Sequence, residues 1–249
     1  MPKNQVKNIW QSNAHYLRQA FMQASDEQTS QLLLMGLEPF LTSGACRILD
    51  IGGGDAKQSV KLARRGHHVT LVDIDTEMVK AAHSRVSSED SQVMQNIRIL
   101  HGSIDDNSLG QYDLVCCHSV LMYQRPWSSF LTKVIARVAP GGFISLTSVN
   151  PEARAMRFGM QRRWREVIAT LALGHQCDPK TIESEVISQK DIREVFAKHN
   201  IKVLAHYGVG VFETGSCEES LAAEWLAGGC EPYRSVARCF HLVAQALER

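Results

Sequence analysis

The sequence predicts an α/β protein in which a mostly parallel sheet is covered by helices on both faces. Strand and helix patterns alternate from residue 47 to residue 149, and such βαβ alternation is typical of a parallel sheet. A run of three glycines at 52–54 lies between the first strand and the first helix of this alternation. The chain has 249 residues, which is enough for one domain with a sizeable core.

Two helical patterns precede the alternation, within residues 14–41. Apolar residues of 14–24 recur at the three- and four-residue spacing of a helix face. A longer apolar face in 27–41 predicts a second helix, for which Ser25 or Asp26 is the expected N-cap.

The alternating region contains five short apolar or β-branched runs that predict strands. These runs are 47–51, 68–73, 97–100, 112–117 and 143–149. Helical patterns occupy 57–65, 76–86 and 126–138, with Gly66 ending the first and Thr76 capping the second. Residues 140–142, Pro-Gly-Gly, predict a turn before the fifth strand.

The pattern loosens after Asn150. An arginine-rich segment at 151–175 is helical in pattern over 153–173, and further helices are expected at 188–199 and 218–227. Strand patterns at 201–207 and 240–246 complete the sheet. We therefore expect a single domain over 1–249, with N-terminal helices at 14–41 and a lid or substrate segment at 151–185.

Composition excludes several protein classes. Lysine and arginine number 27 against 26 aspartates and glutamates, so a uniformly basic nucleic-acid binder is not expected. No apolar run approaches the roughly 20 residues that span a bilayer, and the polar start has no signal-peptide core. The seven cysteines form no C-x-x-C pair, so we expect no metal site and a reduced, cytoplasmic location.

The glycine run and an acid after the second strand predict a nucleotide-type cofactor site. Glycine allows positive φ and close approach of the backbone to a ligand, and Asp73 can accept hydrogen bonds from ribose hydroxyls. A dinucleotide site needs a third spaced glycine, which is absent, and Asp55 would oppose a pyrophosphate. A cofactor without phosphates, such as S-adenosylmethionine (SAM), suits this loop better.

These features resemble the class I SAM-dependent methyltransferases over residues 46–149. The resemblance implies a Rossmann-like sheet of seven strands, whose last two strands form an antiparallel hairpin. In that family the glycine loop meets the methionyl part of SAM and the acid after the second strand holds the ribose. The loop after the third strand holds the adenine, although here Ser103 stands where the family usually has an acid. By this resemblance the cofactor-binding residues are Gly52, Gly53, Gly54, Asp73, Ser103, Ile104 and Asp105.

Fragments along the whole chain are similar to one family of these enzymes, the tRNA 5-carboxymethoxyuridine methyltransferases, which esterify a carboxylate on a wobble uridine. The fragments are YLRQA at 16–20, LDIGGG at 49–54, RGHHV at 65–69, HSVL at 118–121, GVGVF at 208–212 and EPY at 231–233, with Arg238. The resemblance implies that Arg18 binds the methionyl carboxylate of SAM and that His118 contacts the cofactor. It also implies tRNA, at its anticodon region, as the partner.

The substrate region departs from that family in two places. Gly210 stands where the family has an arginine able to pair with a substrate carboxylate, and a lysine run after the fifth strand is missing. In place of the run stand five arginines between 154 and 165, which suit phosphate contacts or a solvated helix face. We expect substrate contacts from Arg154, Arg157, Arg162 and Tyr233.

Methyl transfer requires alignment of the acceptor with the methyl carbon. A carboxylate is already ionised at neutral pH and needs no general base, whereas a hydroxyl or amine acceptor needs one. The expected catalytic residues are His118, Tyr123 and Tyr16. Three alternatives remain: a methyltransferase of a small-molecule acceptor, a catalytically idle SAM-binding protein, and a dinucleotide-dependent oxidoreductase, which Asp55 disfavours.

Overall fold

A computed structural model describes residues 27–41, 44–173, 187–212 and 217–247. Within them, seven strands form one mixed sheet in the order β3-β2-β1-β4-β5-β7-β6, with β7 antiparallel to both neighbours. This confirms the predicted seven-stranded sheet and the antiparallel pairing of its last two strands. The strands are β1 (Arg47–Ile51), β2 (His68–Asp73), β3 (Ile97–His101), β4 (Tyr112–His118), β5 (Val138–Val149), β6 (Ile201–Val209) and β7 (Cys239–Ala246).

Ten α-helices accompany the sheet in the described part of the chain, with short 3-10 turns at Glu38–Phe40 and Leu121–Tyr123. The helices are α1 (Glu27–Leu37), α2 (Lys57–Ala63), α3 (Thr76–Val86), α4 (Ser91–Gln95), α5 (Trp127–Ala136), α6 (Arg154–Met160), α7 (Trp164–Leu173), α8 (Gln189–Lys198), α9 (Glu218–Gly229) and α10 (Tyr233–Val236). None of them is long and apolar enough to cross a membrane. The helix expected at 14–24 and the N-cap candidates Ser25 and Asp26 lie outside the described residues.

The central strands bury both faces, because successive side chains of a strand point to opposite sides. Leu49 and Val115 face a core that includes residues of α5 and α8, whereas Ile48 and Leu114 face a second core with α1 and α2. This arrangement explains why the strand sequences are apolar at nearly every position. Because helices cover both faces of the sheet, the polar loops meet at its carboxyl edge.

Several predicted boundaries differ from the structure. Helix α3 is capped by Asp75 rather than Thr76, because the Asp75 carboxylate accepts the N–H groups of Glu77 and Met78. The predicted helix at 57–65 ends at Ala63, and the one at 126–138 covers Trp127–Ala136. The Pro-Gly-Gly turn lies inside β5, where the pairing with β4 shifts register and forms an irregularity.

The arginine-rich segment also differs from its prediction. The expected helix at 153–173 is two helices, α6 and α7. They are separated at Arg162, whose φ of 59° is left-handed and cannot continue a right-handed helix. The short helix α4 has no counterpart in the prediction, since its five residues are too few to show helical periodicity.

Candidate functional site

The glycine loop between β1 and α2 uses conformations that other residues adopt only with strain. Gly52 and Gly54 have φ values of +64° and +56°. A Cβ at Gly52 would lie 2.5 Å from Val120 Cγ2, so a side chain there would collide with the opposite wall of the cleft. The Gly52 N–H donates to the Val72 carbonyl over 2.7 Å, which ties the loop to the end of β2. The absence of side chains at these glycines lets a ligand in the cleft approach the backbone of the loop.

Asp73 ends β2 beside this loop. One carboxylate oxygen accepts the Gly54 N–H at 2.9 Å and the other accepts the Asp75 N–H at 2.8 Å. Burial raises the pKa of Asp73, and these two backbone donors oppose the rise. Each oxygen keeps a further lone pair for a ligand. The Asp73 carboxylate can therefore hold the loop and also accept hydrogen bonds from hydroxyl groups.

Asp55 does not act as the sequence predicted. Its carboxylate pairs with the Arg85 guanidinium of α3 at 2.6 Å, and Asp55 does not line the cleft. The expected repulsion of a pyrophosphate by Asp55 is therefore wrong, because Arg85 already balances its charge. Gly53 likewise does not line the cleft, and a Cβ there would approach Leu71 and Asp50.

The loop and Asp73 open onto a cleft at the carboxyl edge of β1, β2 and β4. Its empty volume is about 1060 Å³, a figure that includes the open mouth. Ile104 is buried in its wall, whereas Asp105 is exposed and its carboxylate accepts from Lys133 at 2.7 Å. The cleft brings together most of the predicted cofactor and catalytic residues, namely Gly52, Gly54, Asp73, Ser103, Ile104, Asp105, His118 and Tyr123.

His118 closes β4 and forms part of the cleft wall. Its Nε2 lies 2.7 Å from Ser145 Oγ, and burial lowers the pKa of His118 to about 4. The imidazole is therefore neutral at physiological pH. Tyr123 lines the same cleft, and burial raises the pKa of its phenol, so this side chain also remains uncharged.

Arg157 and Arg238 lie near Cys239, which in turn lies near Tyr123 of the cleft wall. Cys239 is close enough to Tyr123 to affect its pKa, and the Arg157 and Arg238 guanidiniums act on Cys239 in turn. Burial and the nearby cations Arg238 and Arg154 lower the pKa of Arg157. Within the described ranges, neither Arg157 nor Arg238 forms an ion pair with an acid.

Sequence reasoning missed Arg238 as a site residue, although it appeared among the shared fragments. The Arg238 guanidinium packs over Gly210, where a Cβ would lie 3.2 Å from Arg238 Nε. This Nε is buried and has no hydrogen-bond partner. A guanidinium thus lies over Gly210, supplied by Arg238 just before β7, and the antiparallel return of β7 beside β6 brings it there.

The other predicted substrate residues are Arg154, Arg162 and Tyr233. Arg154 and Arg163 flank the Phe158 ring, with guanidinium carbons 5.5 Å and 4.4 Å from its centroid. Arg162 is exposed at the turn between α6 and α7. Tyr233 is exposed near Phe212, with ring centroids 6.3 Å apart. Tyr16 and Arg18 lie outside the described residues.

Comparison with known proteins agrees with this geometry. A family model described as a methyltransferase domain matches residues 49–144. The chain is 25% identical to the tRNA 5-carboxymethoxyuridine methyltransferase of Escherichia coli, over 96% of this chain and 92% of that protein. It is 26% identical to a ubiquinone biosynthesis O-methyltransferase of Psychrobacter cryohalolentis, over 77% and 70%. The magnesium protoporphyrin IX methyltransferase of Synechocystis, solved with bound S-adenosylhomocysteine (SAH), has the same fold: TM-score 0.57, 16% identity, 88% and 82% coverage.

The residues of the cleft suit SAM. The Asp73 carboxylate provides acceptors for ribose hydroxyls, the positive-φ glycines leave room that a Cβ would fill, and the buried Ile104 provides an apolar wall for a base. The matched family, the sheet order with its antiparallel β7 and this donor set agree with one another. The chain is a class I SAM-dependent methyltransferase.

Proposed function

We propose that this enzyme methylates the carboxylate of 5-carboxymethoxyuridine at the wobble position of tRNA, in the cytoplasm. The observation that carries the proposal is the Arg157–Arg238 pair. Arg238 is half-buried and Arg157 is exposed, and the two are close enough for Arg238 to lower the pKa of Arg157. Neither has an acidic partner in the described residues, and the buried Arg238 Nε has no hydrogen-bond partner. Such a location favours a bound anion, and a planar carboxylate matches the donors of a guanidinium.

The position of this pair suits the transfer of a methyl group to a carboxylate. When bound, SAM would supply a methyl group to the carboxylate oxygen, with the C–S bond breaking as the C–O bond forms and a neutral thioether as the leaving group. A carboxylate needs no proton removed, so the protein has to orient it and exclude water. We assign the orientation of the carboxylate to Arg157 and Arg238, and the wall on the cofactor side to Tyr123 and His118. Tyr16 and Arg18 remain candidates at the same site.

The helices α6 and α7 supply a surface suited to RNA. Arg162 and Arg165 are exposed, and Arg154 and Arg163 flank Phe158. Exposed guanidiniums bind phosphates without reading sequence, which suits the positioning of an anticodon loop. We propose that residues 151–185 form the lid and substrate segment of a single domain over 1–249, and that Tyr233 extends the acceptor side.

The direct test is methylation of tRNA isolated from a bacterial strain that lacks its own enzyme for this reaction. The purified enzyme and SAM should convert 5-carboxymethoxyuridine into its methyl ester, as measured by mass spectrometry of the digested nucleosides. Absence of the ester, in protein that binds SAH in calorimetry, would overturn the proposal.

Variants of the arginine pair test the proposed carboxylate contact. For Arg157→Gln and Arg238→Gln we expect kcat/KM for tRNA to fall about tenfold or more, since a charged hydrogen bond contributes about 1.5–3 kcal/mol. Affinity for SAH should stay within about twofold, because neither side chain lines the cleft. The exposed Arg193→Gln is the control, and a decrease there equal to that of the pair would contradict the assignment.

A second candidate function is methylation of an apolar small molecule. It is favoured by large apolar side chains exposed on α6 and α7, namely Met160, Trp164, Ile168 and Leu171. The similarity to ubiquinone biosynthesis O-methyltransferases supports this candidate as well. Turnover of a phenolic quinone precursor, together with no methylation of tRNA, would establish it in place of the first.

A further inference from the structure

A hydrogen-bonded chain leads from the wall of the cofactor cleft into the centre of the sheet. His118 Nε2 lies 2.7 Å from Ser145 Oγ on β5, and Ser145 Oγ lies 2.8 Å from His241 Nε2 on β7. Ser145 and His241 are 0% and 1% exposed, so the chain is closed to solvent beyond His118. A polar group of the cleft wall is thus joined to two buried polar groups.

The sheet register explains why these three side chains meet. Thr147 on β5 is the register partner of both His118 on β4 and His241 on β7, so the two histidines flank β5 at the same level. Ser145, two residues before Thr147 on the same face of the strand, reaches both rings. The rings are edge to face, with centroids 5.9 Å apart. Three adjacent strands therefore fix the geometry, without any loop.

The serine couples the tautomers of the two neutral rings. A serine hydroxyl carries one hydrogen, so it satisfies both rings by donating to one Nε2 and accepting from the other. When His241 carries its hydrogen on Nε2, Ser145 donates to His118 Nε2 and the hydrogen of His118 lies on Nδ1. His118 lines the cleft, and no described residue hydrogen-bonds its Nδ1.

Both rings are neutral under physiological conditions. Burial lowers the pKa of His118 to about 4, and burial, with the nearby His118 and His206, lowers the pKa of His241 well below its usual value. His241 is therefore a poor final acceptor for a proton taken from the substrate. The chain has the properties of a positioning device rather than a proton relay.

We propose that Ser145 and His241 are positioning residues that fix the ring orientation and the tautomer which His118 presents to the cofactor cleft. The proposal concerns the cofactor side of the site and is independent of the acceptor. It assigns a role to two buried polar residues that lie outside the proposed substrate site.

The test is the imidazole ¹⁵N chemical shifts of His118 in histidine-labelled enzyme saturated with SAH. The wild-type enzyme should show one neutral tautomer of His118 across neutral pH. Ser145→Ala should give a mixture of both neutral tautomers, because the hydroxyl that selects one is gone. A mixture already present in the wild type, or a single unchanged tautomer in Ser145→Ala, would overturn the proposal.

Affinity for SAH, measured by calorimetry, gives a second readout and a second variant. His241→Phe keeps an aromatic ring while removing Nε2. We expect it and Ser145→Ala each to weaken SAH binding by about tenfold, and the double variant to weaken it no further, because both residues act through His118. Additive effects would contradict a shared chain.

Ser148→Ala is the matched control. Ser148 is equally buried on β5, but its hydroxyl faces Met122 Sδ at 3.7 Å rather than His118. This variant should leave both the His118 tautomer and the SAH affinity unchanged, within about twofold. An equal effect of Ser148→Ala would show that removing any hydroxyl from β5 disturbs the cleft, and the assignment to Ser145 would be wrong.

Discussion

Asp73 has two tasks at the edge of the cofactor cleft. Its carboxylate holds the N–H groups of Gly54 and Asp75, and it faces the cleft where ribose hydroxyls are expected. In Asp73→Asn, the amide NH₂ would confront one of these backbone donors. We expect affinity for SAH to fall about 10- to 100-fold, since hydrogen bonds to charged groups contribute about 1.5–3 kcal/mol.

Calorimetry with SAH measures this decrease. The control is Asp106→Asn, because Asp106 accepts the Ser108 N–H outside the cleft and should leave the affinity unchanged. Equal affinities of wild-type enzyme and Asp73→Asn would remove Asp73 from the cofactor site.

Gly52 shows how little space the glycine loop leaves. In Gly52→Ala the new Cβ would collide with Val120 and also hold a left-handed φ. We expect a decrease of about 2–4 kcal/mol in the free energy of unfolding, from overpacking and from backbone strain together. Urea unfolding measures it. Gly110→Ala, where no heavy atom lies within 4 Å of the new Cβ, should change stability by less than about 0.5 kcal/mol.

Among the site residues, the sequence predicts those whose position follows from the neighbouring strand and loop. The glycines and Asp73 follow strands directly, and the loop chemistry places them at the carboxyl edge. Arg238, Ser145 and His241 have no local signature. Their roles depend on β7 returning antiparallel beside β5, which joins Ser145 to His241, 96 positions away in the chain.

The elements α6 and α7 present the exposed arginines that we assign to RNA. For Arg162→Ala/Arg165→Ala we expect weaker binding of tRNA and a slope of log affinity against log salt reduced by about 2, one for each phosphate that is no longer neutralised. Filter binding at several salt concentrations measures both quantities.

The control for these arginines lies at the opposite edge of the sheet. Arg98 and Lys202 are exposed at the starts of β3 and β6, so Arg98→Ala/Lys202→Ala removes the same charge far from the cleft. The slope should then stay unchanged. An equal reduction by both double variants would indicate a general effect of net charge rather than a surface on α6 and α7.

Element type is well predicted where periodicity is long, as for β2 and α3. The boundaries depend on single side chains or backbone conformations that periodicity does not report. The Asp75 carboxylate starts α3, and the left-handed Arg162 divides the arginine-rich helix. The register shift in β5 absorbs the Pro-Gly-Gly sequence into the strand, although that sequence is typical of a turn.

The stability of the whole molecule is linked to a buried acid under the glycine loop. Asp50 is 2% exposed and accepts from Ser59 Oγ at 2.6 Å. Burial raises its pKa to about 6, while the bond from Ser59 opposes the rise and Asp73 and Asp55 add to it. The carboxyl therefore binds its proton more tightly in the folded protein than in the unfolded chain.

This pKa makes the folded enzyme lose stability as pH rises through the interval between the two values, from about 4 to about 6. At pH 7 Asp50 costs about 3 kcal/mol relative to acidic solution. Asp50→Asn removes the ionisation, so its free energy of unfolding relative to wild type should rise by about that amount from pH 4 to pH 7. Urea unfolding across this range measures the difference, from which the histidines common to both proteins cancel.

Asp113→Asn separates this effect from a general loss of a carboxylate. The Arg47 guanidinium lowers the pKa of Asp113, so its contribution is present above the unfolded value and disappears as pH falls. The difference between this variant and wild type should therefore have the opposite dependence on pH. Parallel curves for Asp50→Asn and wild type would mean that Asp50 ionises normally. In that case the acid under the glycine loop would carry its charge without cost to the fold.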